Sequence, residues 1–571
     1  LALKSTRPLA IDLDTVTIEG LPADRVIRLG TRASLLARTQ SATVGEALAA
    51  ISGREWQEVI IRTAGDDTTK SLNQPGSPGL FVSTLRQALL DGDVDVIVHS
   101  YKDLPSATEP GITLAAVPVR EDARDVLVSK DQLTLDQLPH GAVIGSSSPR
   151  RAAALLRVRS DLVMVPIRGN VDTRIQKVRD GEVDATVLAL AGLRRIGRES
   201  EASEILDYET LLPAPAQGAL AVECRSDDHL LRDLITQLDD PVSRLTTTAE
   251  REVLVGINAA CTTAVAAAAT FDGSHLTLTA KYWPDEQGEN STSLQLPAAV
   301  DDISGARAMG LLAAARLLHG AGPSILLVRS EGTENEADEL SASGFAVLSE
   351  PYVQISADSG DQPVALLTEL QAPTDSQRWL VVTSPMTLPS WEAAVGRPQL
   401  LEAMHAAIAA GWRAAAVGTR SAQTLHDMGW PEVLTPPASS AADLVDLLAQ
   451  EEVGFALFPR SASALRTLPE GLRELGWQVS EGTVYDTTTV SSPPLTAGLV
   501  TAGAIDAVVL RSPSAVRALL AFTQPAPSVL IICGGQSTAE AARQLGLKVG
   551  ATAAGPSAAE VTQAVVEAFN L

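Results

Sequence analysis

The C-terminal part of the chain repeats itself, and that repetition limits what it can fold into. "SILLVRS…LSASGFAVLSEPYVQI" parallels "FALFPRS…LRELGWQVSEGTVYDT": each is a β-branched run ending in Arg-Ser, a helical pattern, a glycine and a second β-branched run. Two further pairs follow in the same order, "LVVTSPMTL" with "AVVLRSPSAV" and "AAVGTRSAQTLHDMGW" with "LIICGGQSTAEAARQLGL". A strand-helix unit repeated in one order predicts two similar α/β domains, with a ligand cleft between them. The repeat begins after "GAGPS" at Gly320 to Ser324.

Ahead of that point, β-branched runs alternate with helical patterns from Val26 to about Val187, as in "VIRLG" before "LLARTQSATVGEALAA" and "GAVIGSS" before "PRRAAALLRV". This predicts α/β domains with largely parallel sheets. "TTTAEREVLVGINAAC" then has apolar positions at helical spacing, and "HLTLTAKYW" alternates, which predicts a smaller α+β unit. A length of 571 residues accommodates such a series, since typical domain sizes give roughly three to five domains.

A net charge of -25 argues against a general nucleic-acid surface, so any basic patch is local. Cys224, Cys261 and Cys533 lie far apart without Cys-x-x-Cys spacing. Neither a metal site nor a disulfide framework is expected, and a reducing cytoplasm fits. No run is long and apolar enough to predict a membrane span, and residues 1–24 read as a flexible leader.

Three turns share one design, in which a strand runs into a helix with Ser or Asn at the junction and Arg beside it. They are "LGTRAS" (Arg32, Ser34), "GSSSPRR" (Ser147, Ser148, Arg150, Arg151) and "IRGNVDTR" (Arg168, Asn170, Arg174). Helix N-termini present unpaired amides, and a neighbouring guanidinium grips a carboxylate in a fork. Ser148 suits an N-cap and Pro149 the first helical position, while Asn170 suits a cap ahead of Arg174. For any single turn, plain capping with arginines on solvated faces is the simpler reading. Three such turns in an acidic chain imply a ligand with several carboxylates or phosphates. "VIVHSYKDLPS" adds a buried-strand pattern that stops at Lys102-Asp103. A carboxylate there could work on protons or a cation in a cleft, or simply cap a turn before Pro105.

Together these stretches resemble porphobilinogen deaminase (hydroxymethylbilane synthase) over about Val26 to Leu318. "LGTRAS", "HSYKDLP", "VPVREDARD", "GSSSPRR", "RGNVDTR", "LALAGLRRIG", "PAPAQGALAVECR" and "AER…C" occur in that family's order. From about Ser324 the repeat resembles uroporphyrinogen-III synthase, through "VVTSPMT", "VGTRSAQTL", "VYDT", "LRSPSAV" and "GGQSTAEAA". The resemblance implies an α/β protein in five domains. A deaminase domain 1 (25–120 with 218–238) and domain 2 (121–217) of periplasmic-binding-protein type precede a small α+β domain 3 (239–320) carrying the cofactor cysteine. Synthase domains 1 (321–352 with 488–571) and 2 (353–487) follow.

By the same resemblance, Cys261 holds a covalent dipyrromethane on which four porphobilinogens are condensed with loss of ammonia, giving hydroxymethylbilane. Asp103 would assist ammonia loss and stabilise the resulting cation. Lys102, Arg32, Ser34, Ser147, Arg150 and Arg151 would hold cofactor carboxylates, and Ser148, Arg168, Arg174, Arg195 and Gln217 those of substrate. In the second half, ring closure to uroporphyrinogen III would use Tyr485 for departure of the hydroxyl. Thr383, Ser384, Gly418, Ser421, Ser512, Ser514, Ser537 and Thr538 would face its cleft. Arg329 and Arg460, at the ends of equivalent strands, could contact carboxylates or face solvent. No metal, nucleic acid or membrane partner is implied, and a cytoplasmic monomer is expected.

The family's usual Gly-Gly before the cysteine is Ala259-Ala260 here, so the attachment loop could sit differently. One chain carrying both enzymes would tether the second near the first one's unstable product. Two other readings stand beside this one: a deaminase whose second half is a noncatalytic tetrapyrrole binder, and a solute-receptor-type anion-binding protein.

Overall fold

The computed structural model describes residues 22, 24–61, 80–260, 263–285, 288–320, 322–329, 335–372, 377–437, 440–464, 466–555 and 557–570. Cys261 and almost all of the expected leader lie outside them.

Five sheets follow one another. The first is ordered Trp56–Ile60, Ile27–Thr31, Val96–Ser100, Leu220–Arg225, Ile112–Ala116. The second is ordered Val163–Val165, Val143–Gly145, Ala185–Ala189, Asp125–Ser129, Glu204–Ile205. Both sheets are largely parallel as expected, with four of five strands running one way, but each contains one reversed strand. Leu220–Arg225 runs antiparallel to both neighbours in one sheet, and Asp125–Ser129 does so in the other. The cause is connectivity: the chain crosses from the first sheet to the second and back, and the strand that follows each crossing enters its sheet against the others.

The third sheet is antiparallel, Ala264–Phe271, His275–Trp283, Asn290–Pro297. Its first strand reads as alanine filler but is buried along nearly its whole length. Val265, Ala267 and Ala269 pack with helices Pro241–Ile257 and Ile303–His319, and Ala264, Ala266 and Ala268 pack with Leu127, Ile144 and Leu155 of the second sheet's unit. Small side chains are required because both faces are covered at close range. The two helices also cross closely: a Cβ on Gly256 would lie 2.4 Å from that of Ala314, and one on Gly310 2.4 Å from the Ala249 carbonyl oxygen.

The repeat forms a parallel sheet, Ala346–Pro351, Ser324–Arg329, Ala507–Leu510, Leu530–Cys533, Val549–Thr552. A six-stranded sheet follows it, Val353–Ala357, Gln478–Thr489, Phe455–Ser461, Arg378–Val382, Arg413–Ala416, Val433–Leu434. Each half of the duplicated sequence forms strand and helix in the order read from it. Thr387–Val395 matches Pro513–Phe522, and Thr419–Asp427 matches Gln536–Gln544.

One carboxylate ties the first three sheets together. Glu250, fully buried on helix Pro241–Ile257, accepts both terminal nitrogens of Arg120 at 2.7 and 2.9 Å. It also accepts the backbone amides of Ala216 and Ala269, at 2.6 and 2.7 Å. Arg120 lies on the outward crossing, Ala216 on the return crossing in a left-handed conformation (φ 61°), and Ala269 in the third sheet. Removing one partner of a buried pair strands the other charge. Glu250→Gln is expected to lower unfolding free energy by about 3–5 kcal/mol, read from urea denaturation; a loss below about 1 kcal/mol, the scale of an ordinary hydrogen bond, would show the junction is held elsewhere.

Candidate functional site

The three expected anion turns form as strand-to-helix junctions. Ser34 caps helix Leu35–Ser52 by accepting the Ala37 amide, and Ser148 caps Pro149–Val158 by accepting that of Arg151. Asn170 caps Val171–Arg179 by accepting the Thr173 amide at 2.9 Å, and Arg174 follows within that first turn. Each cap closes one free amide and leaves the helix's positive end at the C-terminal edge of a strand.

Beneath the second turn lies a charged group that the sequence reading did not single out. Asp125, at the start of its strand and wholly buried, accepts Arg150 at 2.8 Å and Arg151 at 2.7 Å. The guanidinium groups also donate to the Leu212 and Val187 carbonyls. Burial alone would raise the Asp125 carboxyl; Arg151, Arg150 and Lys102 overturn that and hold it well below the usual carboxylate range. The solvated-face reading therefore fails for Arg150 and Arg151, which are 4% and 6% exposed. Arg151 Nε is buried without a hydrogen-bond partner among the described residues. A further acceptor at this point would satisfy it.

Strand Val96–Ser100 ends in a single 3-10 turn, Tyr101–Asp103. Lys102 Nζ donates to Gln217 Oε1 at 3.0 Å. Burial is the main cause that brings its pKa down to about 8; Asp103 and Asp125 push it up, and Arg151 and Arg150 down. Gln217, expected at the substrate, is fully buried and spends its amide inside the protein. Its Nε2 donates to the Ala123 carbonyl and to Asp125 Oδ1, at 2.7 and 3.0 Å. It is thus a strut joining Lys102 of the first sheet's unit to Asp125 of the second's.

Asp103 is exposed, and among the described residues its carboxylate makes no hydrogen bond, which removes the turn-capping alternative. It attracts Lys102 and Arg174 electrostatically. Arg174 Nε donates to the Gly169 carbonyl at 3.0 Å, and burial, then Arg151, lower its pKa. Arg195 donates to the Gly218 carbonyl, with burial lowering it to about 10, whereas Arg168 stays exposed. Arg251 holds the Asp103 turn from beneath. It donates to the carbonyls of Tyr101, Leu104 and Pro105 at 3.0, 3.2 and 2.6 Å, with its guanidinium 4.6 Å from the Tyr101 ring centroid. The arrangement gathers Lys102, Arg150, Arg151 and Arg174 near one exposed carboxylate, Asp103, that makes no hydrogen bond among the described residues.

Helix Pro241–Ile257 ends at Asn258 in a left-handed conformation (φ 53°), while neither Ala259 nor Ala260 has positive φ. The alanines in place of glycines therefore carry no backbone strain at these two positions. Cys224 and Cys533 are fully buried, which pushes their thiols up to about 12 and about 11 and leaves both unreactive.

In the repeat, Ser512 caps helix Pro513–Phe522 and pairs with Ser514 at 2.8 Å. Gly418 and Gly535 precede the helices Thr419–Asp427 and Gln536–Gln544, whose first amides lack a side-chain cap. Thr383 and Ser384 are half-buried, Ser537 is exposed, and Ser421 and Thr538 are 3% and 2% exposed. Tyr485 is 5% exposed; burial raises its pKa, and its hydroxyl faces those of Ser384 and Thr387. Arg460 pairs with Glu481 at 2.8 Å. The Arg329 side chain lies outside what is described.

A family model for the dipyrromethane cofactor binding domain of porphobilinogen deaminase matches residues 27–233, and one for uroporphyrinogen-III synthase HemD matches 334–563. Porphobilinogen deaminase 1 of Streptomyces coelicolor is 49% identical over 250 residues, 43% of this chain and 78% of its own. The porphobilinogen deaminase of Mycobacteroides abscessus is 46% identical over 289 residues, 50% of this chain and 91% of its own. Among solved structures, a mutant uroporphyrinogen III synthase from Thermus thermophilus is 17% identical with a TM-score of 0.34, over 44% of this chain and 99% of that one. The uroporphyrinogen-III synthetase of Helicobacter pylori is 16% identical with a TM-score of 0.31, over 43% and 99%.

Lys102 gives the charged cluster a pH signature. Its lowered pKa means the folded chain sheds this proton from about pH 8, while the unfolded chain holds it to the ordinary lysine range near 10.4. Native stability therefore rises with pH across that window, and the cost of the buried ammonium is fully present below it. Compared with Lys102→Met, the parent is expected to gain stability as pH rises from about 7 to about 10, followed by thermal denaturation. A difference independent of pH would contradict the enclosed ammonium.

Proposed function

The chain belongs to the porphobilinogen deaminase family, and from that premise we propose how its residues carry out two successive steps of tetrapyrrole biosynthesis. The first half condenses four porphobilinogens into hydroxymethylbilane with release of ammonia, and the second closes hydroxymethylbilane to uroporphyrinogen III. The five-domain division of the chain, and its action as a cytoplasmic monomer on these small molecules alone, belong to this proposal.

The observation that carries the deaminase reading is the exposed Asp103 carboxylate, which makes no hydrogen bond among the described residues and stands electrostatically close to Lys102 and Arg174, with Arg150 and Arg151 gathered on Asp125 behind them. Each porphobilinogen unit brings an acetate and a propionate, so the growing chain is a polycarboxylate. Positive groups held in advance bind it without reorganising. The bound dipyrromethane supplies the pyrrole carbon from which the product chain grows, and Cys261 is its proposed attachment point. Arg151 Nε and the Lys102 ammonium fit such a group, being enclosed donors with capacity left for carboxylate oxygens. Arg32 and Ser34 follow strand Ile27–Thr31 of the first sheet and Ser147 follows Val143–Gly145 of the second, and all three are proposed to hold cofactor carboxylates.

Asp103 is the negative charge facing the pyrrole nitrogen as ammonia leaves. Carbon–nitrogen cleavage puts positive charge on the substrate ring, and a fixed carboxylate stabilises it most where water is excluded. Arg251 acts through the backbone of that turn, while Arg168, Arg174 and Arg195 meet the incoming substrate's carboxylates. Gln217 and Asp125 keep the two sides in register.

In the second half, the uncapped amides before Thr419–Asp427 and Gln536–Gln544 and the Ser512–Ser514 pair offer donors to a folded polycarboxylate. Gly418, Thr383 and Ser537 lie at the same strand edges. Tyr485, with Ser384 against its hydroxyl, is the group proposed to assist loss of the terminal hydroxyl as water.

Intact mass of the purified chain is expected to show two covalently added pyrrole units that vanish in Cys261→Ala. Asp103→Asn should retain a preformed adduct yet lose about 10²–10³-fold in kcat. With porphobilinogen as sole substrate, isomer analysis should give type III product; type I alone would reject the synthase assignment, and an unmodified Cys261 the deaminase assignment.

A further inference from the structure

A fused pair of enzymes can be two beads on a string or one body, and the seam between the halves distinguishes these. Helix Ile303–His319, last of the N-terminal half, ends four residues before strand Ser324–Arg329, first of the other half. Its burial is not that of a terminal helix with one wet face. Ala306, Ala308, Met309, Gly310, Leu312, Ala313, Ala314, Ala315 and Leu317 are all buried, so the helix is covered on most sides.

Two of those sides belong to its own domain. Gly310 and Ala314 meet helix Pro241–Ile257, and Leu317 offers its carbonyl to Asn290 of the third sheet at 2.7 Å. Ala308, Leu312 and Arg316 stand one turn apart on the remaining side. Arg316 reaches across the seam to the Ala504 carbonyl at 3.5 Å and to Asp506 at 4.0 Å. Ala308, Met309 and Leu312 belong to one continuous apolar core with Leu326, Val328 and Val508 of the repeat's parallel sheet, and Leu348 packs against it. The connection is seated as well: a Cβ on Gly322 would fall 1.9 Å from the Gly344 carbonyl oxygen.

We infer that helix Ile303–His319 is a docking surface through which the cofactor-bearing domain and the first synthase domain are held as one rigid unit, independently of the covalent link. The helix substitutes for a cover that the synthase sheet would otherwise need from its own sequence. Hydroxymethylbilane is then released at a fixed position relative to the second cleft, not from one end of a loose tether. The part about transfer rests on the function proposed above; the docking itself does not.

The test cuts the link in the full chain. A protease site is inserted after Gly320, on which a Cβ would meet nothing within 4 Å, and is cleaved in the folded protein. The fragments are expected to co-elute on size exclusion at micromolar concentration and to retain the uncut chain's type III to type I ratio, with no loss. Separation of the fragments, with deaminase activity intact, overturns the docking and leaves the functional reading untouched; co-elution without either activity does the reverse. Leu312→Lys in the cleavable chain is expected to release the fragments, and continued co-elution would place the interface elsewhere. If uncut Leu312→Lys fails to fold by circular dichroism, Arg316→Glu on the rim, which turns attraction to Asp506 into repulsion, takes its place with the same two outcomes.

Discussion

Asp125 is the charge on which the proposed deaminase site depends. Two arginines, a glutamine amide and, at one remove, a lysine converge on a carboxylate with no access to water. Without it the same pocket would hold three like charges at close range in a low-dielectric interior, and they would spread apart or lose protons. With it, one negative charge keeps several positive ones together yet cannot neutralise them all. The cluster retains a positive excess, which suits the polycarboxylate ligand proposed for it. Positive groups and buried acceptor are therefore one electrostatic arrangement: a preorganised positive surface needs a buried counter-charge to exist before its ligand arrives.

The segments that cross between sheets show a related use of carboxylates. Glu250 takes backbone amides from the return crossing and the third sheet, and Glu350 takes those of Leu495 and Thr496 where the chain re-enters the parallel sheet. Thr496 also donates its hydroxyl to Glu350 and meets the Tyr352 hydroxyl at 2.9 Å. A segment passing between domains has no ladder partner for its amides, so a side-chain acceptor must stand in. Carboxylates do this well because each accepts several donors at once. The crossing segments are thereby held by acceptors on neighbouring elements.

Much of the fold was legible from the chain. Ser148 before Pro149, and Asn170 three residues ahead of Thr173, are local signals, and local signals survive into the structure because a cap depends on its own next few residues. The internal repeat was readable for the same reason: each copy supplies a full strand-helix set. What the chain hid is nonlocal. Asp125 sits in "REDARDV" among several acids, and nothing in the string tells which acid turns inward. The mixed direction of the first two sheets follows from a double crossing that periodicity cannot express. Gln217 looked like a ligand group because its motif carries it, but its burial and its bonds to Lys102, Ala123 and Asp125 make it a strut. The signal that could have found Glu250 and Arg251 is their adjacency on a helix: neighbouring helical positions point about 100° apart, so an acid and a base side by side serve different neighbours.

The shared core around helix Ile303–His319 bears on how such a chain can change over generations. In an ordinary fusion, splitting the reading frame at the joint into two separately started frames returns two serviceable proteins. Here each product would carry away half of one apolar interior, and each would need polar replacements on a different face before either could stand alone. Those replacements must come together, since any one of them first weakens the fused form. Fusion is in this sense a ratchet: one recombination event suffices to enter it, and leaving demands coordinated resurfacing of two enzymes.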